Sequence, residues 1–448
     1  MADPVSSVAY AIESALRGLN GDLANLLPTM AAIVAIIAVI SATYHQLIGR
    51  FPSGGGGPEG VAAAFGEGWA FIPLGALLVD FTLTVAVSCA AGASALIAYV
   101  PSLESVRTPI GLALVALVAG GVLLGQLGRV AFALATLLFI LLAISAIVAG
   151  ALATAPAAEA HHAGPGTPLV SSAALGPVLV AIPLGMALAT GVEAPSNAIA
   201  QLPQLDDLTR RRFGRWTLWL MVGIVGGLTI SFAAVAVHLG TGVPPADSTL
   251  LAEVGRDAFG GGFLFAGFQA ASALLLLSAA ASSYLAGSGV LKALATLGRN
   301  GEGLVPSRFG RINRFLVPEW GVALVLASAA ILVAAGGREQ HLVGFYAVAV
   351  FASFLAATIG CAALVSRRPP GDAGAEPARR RPGRDGSRHQ RHAARRHDRP
   401  ARLGRGRGIP VASLGLPRAA GRRRGRRRPL MATRPAGEST GVEGFTRP

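Results

Sequence analysis

Apolar residues in this chain run in long blocks, and polar residues collect in short clusters between them. Blocks near 28–48, 70–98, 108–127, 130–154, 168–202, 216–239, 261–291, 319–336 and 341–366 are each long enough to predict a membrane-crossing helix, since a helix rising 1.5 Å per residue needs about 20 apolar residues to traverse about 30 Å of hydrocarbon. A shorter apolar piece, Pro4 to Leu16, carries Ser6, Ser7, Tyr10 and Glu13 and predicts half a helix. With Asp3 only two residues from Met1, we expect that first helix to be incomplete at its start.

The clusters between blocks predict orientation. If the first span runs outward, thirteen basic residues fall in inside segments, among them Arg210, Arg211, Arg212 and Arg215, against four outside: Arg17, Arg107, Arg256 and Arg338. That asymmetry follows the positive-inside tendency of membrane proteins. It supports about ten spans, which divide into five plus five, the arrangement of inverted-repeat carriers with broken helices. The corresponding breaks would lie at Asp3 to Tyr10 and at Thr190 to Asn197.

Composition fits this picture: 52% of residues are hydrophobic and 14% charged, against about 25% charged in soluble domains. The formal charge of +15 would suggest a nucleic-acid partner until the chain is divided at Ser366. Residues 1–366 hold 15 basic and 17 acidic residues, and residues 367–448 hold 23 and 6. We therefore expect two parts: a transmembrane domain over 1–366 and a basic, disordered tail over 367–448. The tail lacks any sustained hydrophobic period. Because lysine occurs once, at Lys292, a stretch translated out of frame from GC-rich DNA is an equal reading of it. No specific nucleic-acid partner is expected. Cys89 and Cys361 lie inside apolar blocks and imply neither a disulfide framework nor a transition-metal site.

Three carboxylates stand at membrane depth: Asp3, Asp80 and Glu193. Charge at that depth is costly and usually faces a polar cavity or pathway. Asp80, Thr84 and Ser88 are spaced i, i+4, i+8 and share one helix face; Asp3 and Tyr10, seven apart, share another. Thr and Ser can instead bond back to their own helix. Glu193 sits between Gly191 and Pro195, residues suited to an unwound segment with free carbonyls, and is expected to hold or gate that break. Together the side-chain oxygens of Asp3, Tyr10, Asp80, Thr84 and Ser88 and the carbonyls freed by unwinding make a set that a dehydrating monovalent cation would accept, and either aspartate could carry a coupled proton, since leaving water favours a neutral carboxyl. The glycine run FPSGGGGPEG, 51–60, lacks the Lys-Ser/Thr of a phosphate loop and reads as an inside turn. His161 and His162 read as solvated, and His45 and His238 as residues near span ends.

The segments DPVSSVAYAIE (3–13), RFPSGGGG (50–57), ALLVDFTLTVAVS (76–88), TGVEAPSN (190–197) and GGREQHLVGFYAVAVFASF (336–354) resemble the amino acid-polyamine-organocation (APC) superfamily, and within it the KimA-type potassium/proton symporters. The resemblance covers residues 3–366. It implies an all-α integral membrane fold, the APC or LeuT-type 5+5 inverted repeat with helices 1 and 6 broken, and a cation site at Asp3, Tyr10, Asp80, Thr84, Ser88 and Thr190. Phe81 departs from the family pattern, which has Tyr there, and so removes one hydroxyl. The stretch 282–317 keeps only a trace of the pattern at LVPSRFGR. Proton-coupled potassium uptake across the cell (plasma or inner) membrane, with no cofactor and no enzymatic activity, is the leading expectation. Beside it stand an amino acid permease on the same fold and an inactive remnant or membrane scaffold. Expected partners are the small solute, protons, the lipid bilayer and a second copy as a homodimer.

Overall fold

The computed structural model describes residues 2–366 except 53, 126–128, 154–174, 200–201, 203, 297–304 and 337. The basic tail and the His161–His162 pair lie outside the described residues. Among the described residues every element is helical, and nine helices or helix groups are long and apolar enough to cross a membrane. They coincide with the nine apolar blocks. The long ones are α3 (Leu23–Arg50), α5 (Phe71–Tyr99), α6 (Arg107–Leu123), α7 (Arg129–Leu152), α10 (Asp207–Leu239), α12 (Phe263–Thr296), α13 (Glu319–Gly336) and α14 (Glu339–Ser366). The sixth span is a composite of α8 (Leu175–Gly185), a 3-10 turn Met186–Ala189 and α9 (Ala194–Ala198).

Two elements precede these. The Pro4–Leu16 piece forms α1 (Ala2–Ser6) and α2 (Val8–Gly18), interrupted only at Ser7. The interruption is milder than expected: Ser7 keeps right-handed helical dihedrals, φ −65° and ψ −23°. The break in the sixth span is deep, with Thr190 extended (φ −49°, ψ 135°) and Gly191 left-handed at φ +72°. Only glycine adopts that conformation at low cost.

Three stretches differ from the hydropathy reading. The glycine run is more than a turn: Gly54 and Gly55 turn with positive φ, and from Gly56 the chain winds into α4 (Gly56–Phe65). Against α4, Gly360 of the last long helix must stay without a side chain, since a Cβ there would stand 3.1 Å from Val61 N and 3.2 Å from Gly60 C. Helix α10 starts at Asp207 rather than near 216, since Asp206 accepts from the amides of Leu208 and Thr209 and caps it there. A short helix α11 (Leu250–Phe259), capped by Thr249, lies where no span was expected.

The main core cluster has α5 and α12 as its central pair, with α14 against α5 and α10 against α3, and a small second cluster joins Ala98, Ala252 and Phe265. Large apolar residues of α3, α7, α10, α13 and α14 stay exposed on their outer faces, as Val39, Leu137, Trp216, Ile331 and Phe345 do. Apolar surface of that extent belongs in lipid. Cys89 and Cys361 are buried and unpaired. His45 Nδ1 accepts from Trp219 Nε1 at 3.1 Å, and His238 pairs with the Ala153 carbonyl at the same separation.

Candidate functional site

The site forms where the two broken helices meet the middle of α5. Asp80, Thr84 and Ser88 lie on the buried face of α5, with exposures of 6%, 0% and 0%. Asp3 reaches the same place from α1: a Cβ on Gly191 would stand 3.1 Å from Asp3 Oδ2 and 2.8 Å from Pro4 Cγ. Only a residue without a side chain lets the two breaks close on each other. Asp3 and Asp80 are near enough to repel, and Tyr10 faces both, with Thr190 beside its hydroxyl.

The hydrogen-bond census separates structural hydroxyls from available ones. Ser6 donates to the Asp3 carbonyl and Ser7 to the Pro4 carbonyl, each at 2.7 Å, so these two serve the helix start. Thr82 donates back to Leu78 at 2.9 Å. Thr84 and Ser88, on the neighbouring face, do not: their hydroxyl oxygens are buried without a partner, as are the Tyr10 hydroxyl, Asp3 Oδ1, Asp80 Oδ1 and Glu193 Oε1. Six buried, unpartnered oxygens are costly to keep, since each lacks what it had in water. All six can accept, the chemistry that suits a cation.

Thr190 donates to the Ala187 carbonyl at 2.7 Å and is in close contact with the Tyr346 hydroxyl. The Tyr346 hydroxyl also faces Asp80. Tyr346 comes from α14 and was missing from the sequence reading. Phe81 meanwhile turns toward Gly287 on α12, its Cβ 3.4 Å from where a Gly287 Cβ would be. Tyr44 and Ser353 were also missed: Tyr44 donates to Glu193 Oε2 at 3.1 Å, and Ser353 stands beside the same carboxylate. Glu193, expected at the helix break, is buried there and faces Asp80 and Asp3 as well. Pro195 is buried in the first turn of α9. Among the described residues, no group of three or more His, Cys, Asp and Glu is arranged to hold a metal ion.

The helical bundle thus holds a buried acidic and hydroxyl site between two helix breaks. Residues 5–384 match the amino acid permease family, and the chain belongs to it. Its sequence is 30% identical over 379 residues to the potassium transporter KimA of Bacillus subtilis (strain 168), an alignment covering 82% of this chain. The chain spans 61% of that relative's length.

Proposed function

We propose that this permease takes up potassium by proton-coupled symport across the cell membrane. Asp3 and Asp80 serve as charged ligands or proton carriers, and Tyr10, Thr84, Ser88 and Thr190 as neutral ligands. The observation that carries the reading is the set of buried, unpartnered oxygens drawn from α1, α5 and the sixth-span break. A weakly hydrated monovalent cation replaces its water shell with several such oxygens. The similarity to a protein named as a potassium transporter supports the same cargo. Two mutually repelling carboxylates give a reason for coupling: one proton on either removes the repulsion, and a bound cation does the same. Tyr346, touching Thr190 and facing Asp80, would close the shell from the side of α14.

An amino acid substrate is the second reading, supported by the family's description. Its carboxylate would seek the amides at the Gly191 break, where Asp3 already stands 3.1 Å from the position of a Cβ. That negative neighbour works against it. The test is rubidium uptake in cells lacking their own potassium importers, with Asp80→Asn as control and unlabelled amino acids as competitors. Asp80-dependent uptake insensitive to amino acids is the expected result. A folded, inserted protein that takes up no rubidium would overturn the potassium reading in favour of an amino acid.

A further inference from the structure

Between α12 and α13 the chain reads SRFGRINRFLVPEW, 307–320, a basic and aromatic stretch that plays no part in the Asp80 site. Arg308, Arg311 and Arg314 recur every three residues, and Phe309, Phe315 and Trp320 stand among them. The loop charges assign the stretch to the inside. Its composition alone would allow a loose solvated turn; the structure shows a braced one.

Asn313 is the brace. Its Nδ2 donates to the Leu123 carbonyl at 2.8 Å, satisfying one of the unpaired carbonyls that end α6, and its Oδ1 accepts from the amides of Phe315 at 2.9 Å and Val317 at 3.0 Å. The Asn313 amide donates to the Val317 carbonyl, also at 2.9 Å. Phe315 closes on Gly125 just past α6, where a Cβ would stand 3.0 Å from the Phe315 Cβ. Upstream, the 3-10 turn Ser307–Gly310 packs on α12 and α13. The loop therefore keeps one shape across the ends of three helices.

That shape presents charge without partners and apolar surface without cover. Among the described residues, Arg308, Arg311 and Arg314 make no ion pair. Arg308 lies over the rings of Phe309 and Trp320, 5.3 and 5.6 Å from their centroids, and Arg314 lies over Phe315 at 4.7 Å. A guanidinium held over a ring keeps its N–H edge for a bidentate oxygen partner. Ile312, Phe315, Leu316 and Trp320 are exposed beside these cations. Leu316 is left-handed at φ +65°, and among the described residues the other non-glycine with positive φ is Asn20, a residue type that tolerates it. At 49% exposure Leu316 gains little from packing in return for that conformation. A surface that dips into lipid supplies the return.

We propose that residues 307–320 form a binding surface for the headgroup of an anionic phospholipid in the leaflet at the inner ends of α12 and α13. The phosphate takes the N–H edges of the three arginines, and the four exposed apolar side chains lie at the boundary between headgroups and acyl chains, where aliphatic and aromatic residues beside arginine are favoured. Charge decides the occupant. Glu319 is the stretch's single acid, so three guanidiniums call for negative charge, and a zwitterionic headgroup brings a cation of its own. The chain's tail after Ser366, with 23 basic and 6 acidic residues, has the wrong sign to cover them. The surface is independent of which solute the Asp80 site carries.

The test is native mass spectrometry of the full chain in detergent, titrated with phosphatidylglycerol or with phosphatidylcholine of the same acyl chains. Phosphatidylglycerol should be retained in preference. Its affinity should fall about a hundredfold when Arg308→Gln, Arg311→Gln and Arg314→Gln are combined, at about fivefold for each arginine near a membrane surface. The charge-matched combination Arg211→Gln, Arg212→Gln and Arg215→Gln at the start of α10 should keep the parent affinity. Leu316→Gly should hold or raise the melting temperature, since glycine adopts the left-handed conformation freely, while weakening lipid retention, which separates lost binding from lost folding. Equal losses in the two arginine combinations would show diffuse attraction to any basic helix end and overturn the surface. Equal retention of phosphatidylcholine, or unchanged retention in Leu316→Gly, would overturn it as well. Displacement of the lipid by inorganic phosphate or glycerol phosphate at matching concentration would give the arginines to a soluble anion and overturn the lipid reading.

Discussion

Asp3 leans on Gly191. The carboxylate oxygen Oδ2 stands 3.1 Å from where a Cβ on that glycine would be, and Pro4 is nearer still, at 2.8 Å. The glycine is left-handed, φ +72°, so backbone conformation and space both exclude a side chain. Through this contact the first helix and the interruption of the sixth span share one position.

Gly191→Ala is therefore expected to damage the site rather than the bundle. The left-handed conformation costs an L-residue about 1–2 kcal/mol, and the methyl group must also displace Pro4 or Asp3. Rubidium uptake should fall about a hundredfold, the effect of a roughly 1 Å misplacement of a working group. Membrane insertion, followed by size-exclusion elution in detergent, should be retained.

Tyr346→Phe removes one oxygen and keeps the ring. The lost hydroxyl touches Thr190 and faces Asp80, and a hydrogen bond to a charged group is worth about 1.5–3 kcal/mol. Half-saturation for rubidium should rise at least about tenfold on that scale. An unchanged half-saturation constant would remove Tyr346 from the site.

Thr82 and Thr84 offer an internal comparison two residues apart on one helix. Thr82 bonds back to Leu78, whereas the Thr84 hydroxyl is buried and unpartnered. Thr84→Val should cut uptake while leaving the melting temperature unchanged or raised, because replacing an unmet polar group with an isosteric apolar one is neutral or stabilising. Thr82→Val should leave uptake near the parent level. Equal effects on uptake would show that the polar stripe is not the path.

Glu59 gives a pH prediction away from the membrane. It sits in the first turn of α4 with Oε2 buried and unpartnered, and burial raises its carboxyl above the ordinary range. A raised folded-state value means the folded form holds the proton more tightly. The stabilisation is complete below the ordinary carboxylate value and is lost as pH rises through the folded value. Amide exchange in α4 should accelerate over that window, and Glu59→Gln should flatten the dependence. A dependence unchanged in Glu59→Gln would assign it to another group.

How much of this was legible in sequence depended on the signal each part left. Spans declare themselves through bulk apolar length, so all nine were found within a few residues at most ends, and the start of α10 was missed because LTRRRFGR helices by propensity and a cap, not by hydropathy. Helices α4 and α11 are short and lie between spans, where a hydropathy window is blind. The Asp80, Thr84 and Ser88 stripe was readable because a charge marks its face. Tyr346 and Tyr44 carry no such mark. Each is one aromatic residue in an apolar helix, and only packing decides whether its hydroxyl meets Asp80 or Glu193, or lipid headgroups.

The ion pairs at the ends of α2, α6, α11 and α14 match four carboxylates, Glu13, Glu104, Glu253 and Glu339, with four guanidiniums, Arg17, Arg107, Arg256 and Arg338. Moving such a set as a body displaces no net charge along the membrane normal. The carboxylates around Asp80 have hydroxyls and each other for neighbours, so what is gained or lost there is whole charge, worth about 2.3 kcal/mol per 100 mV for a full crossing. On the proposed potassium uptake, membrane voltage would therefore act on the loading of the Asp80 centre and leave the making of these ion pairs nearly untouched.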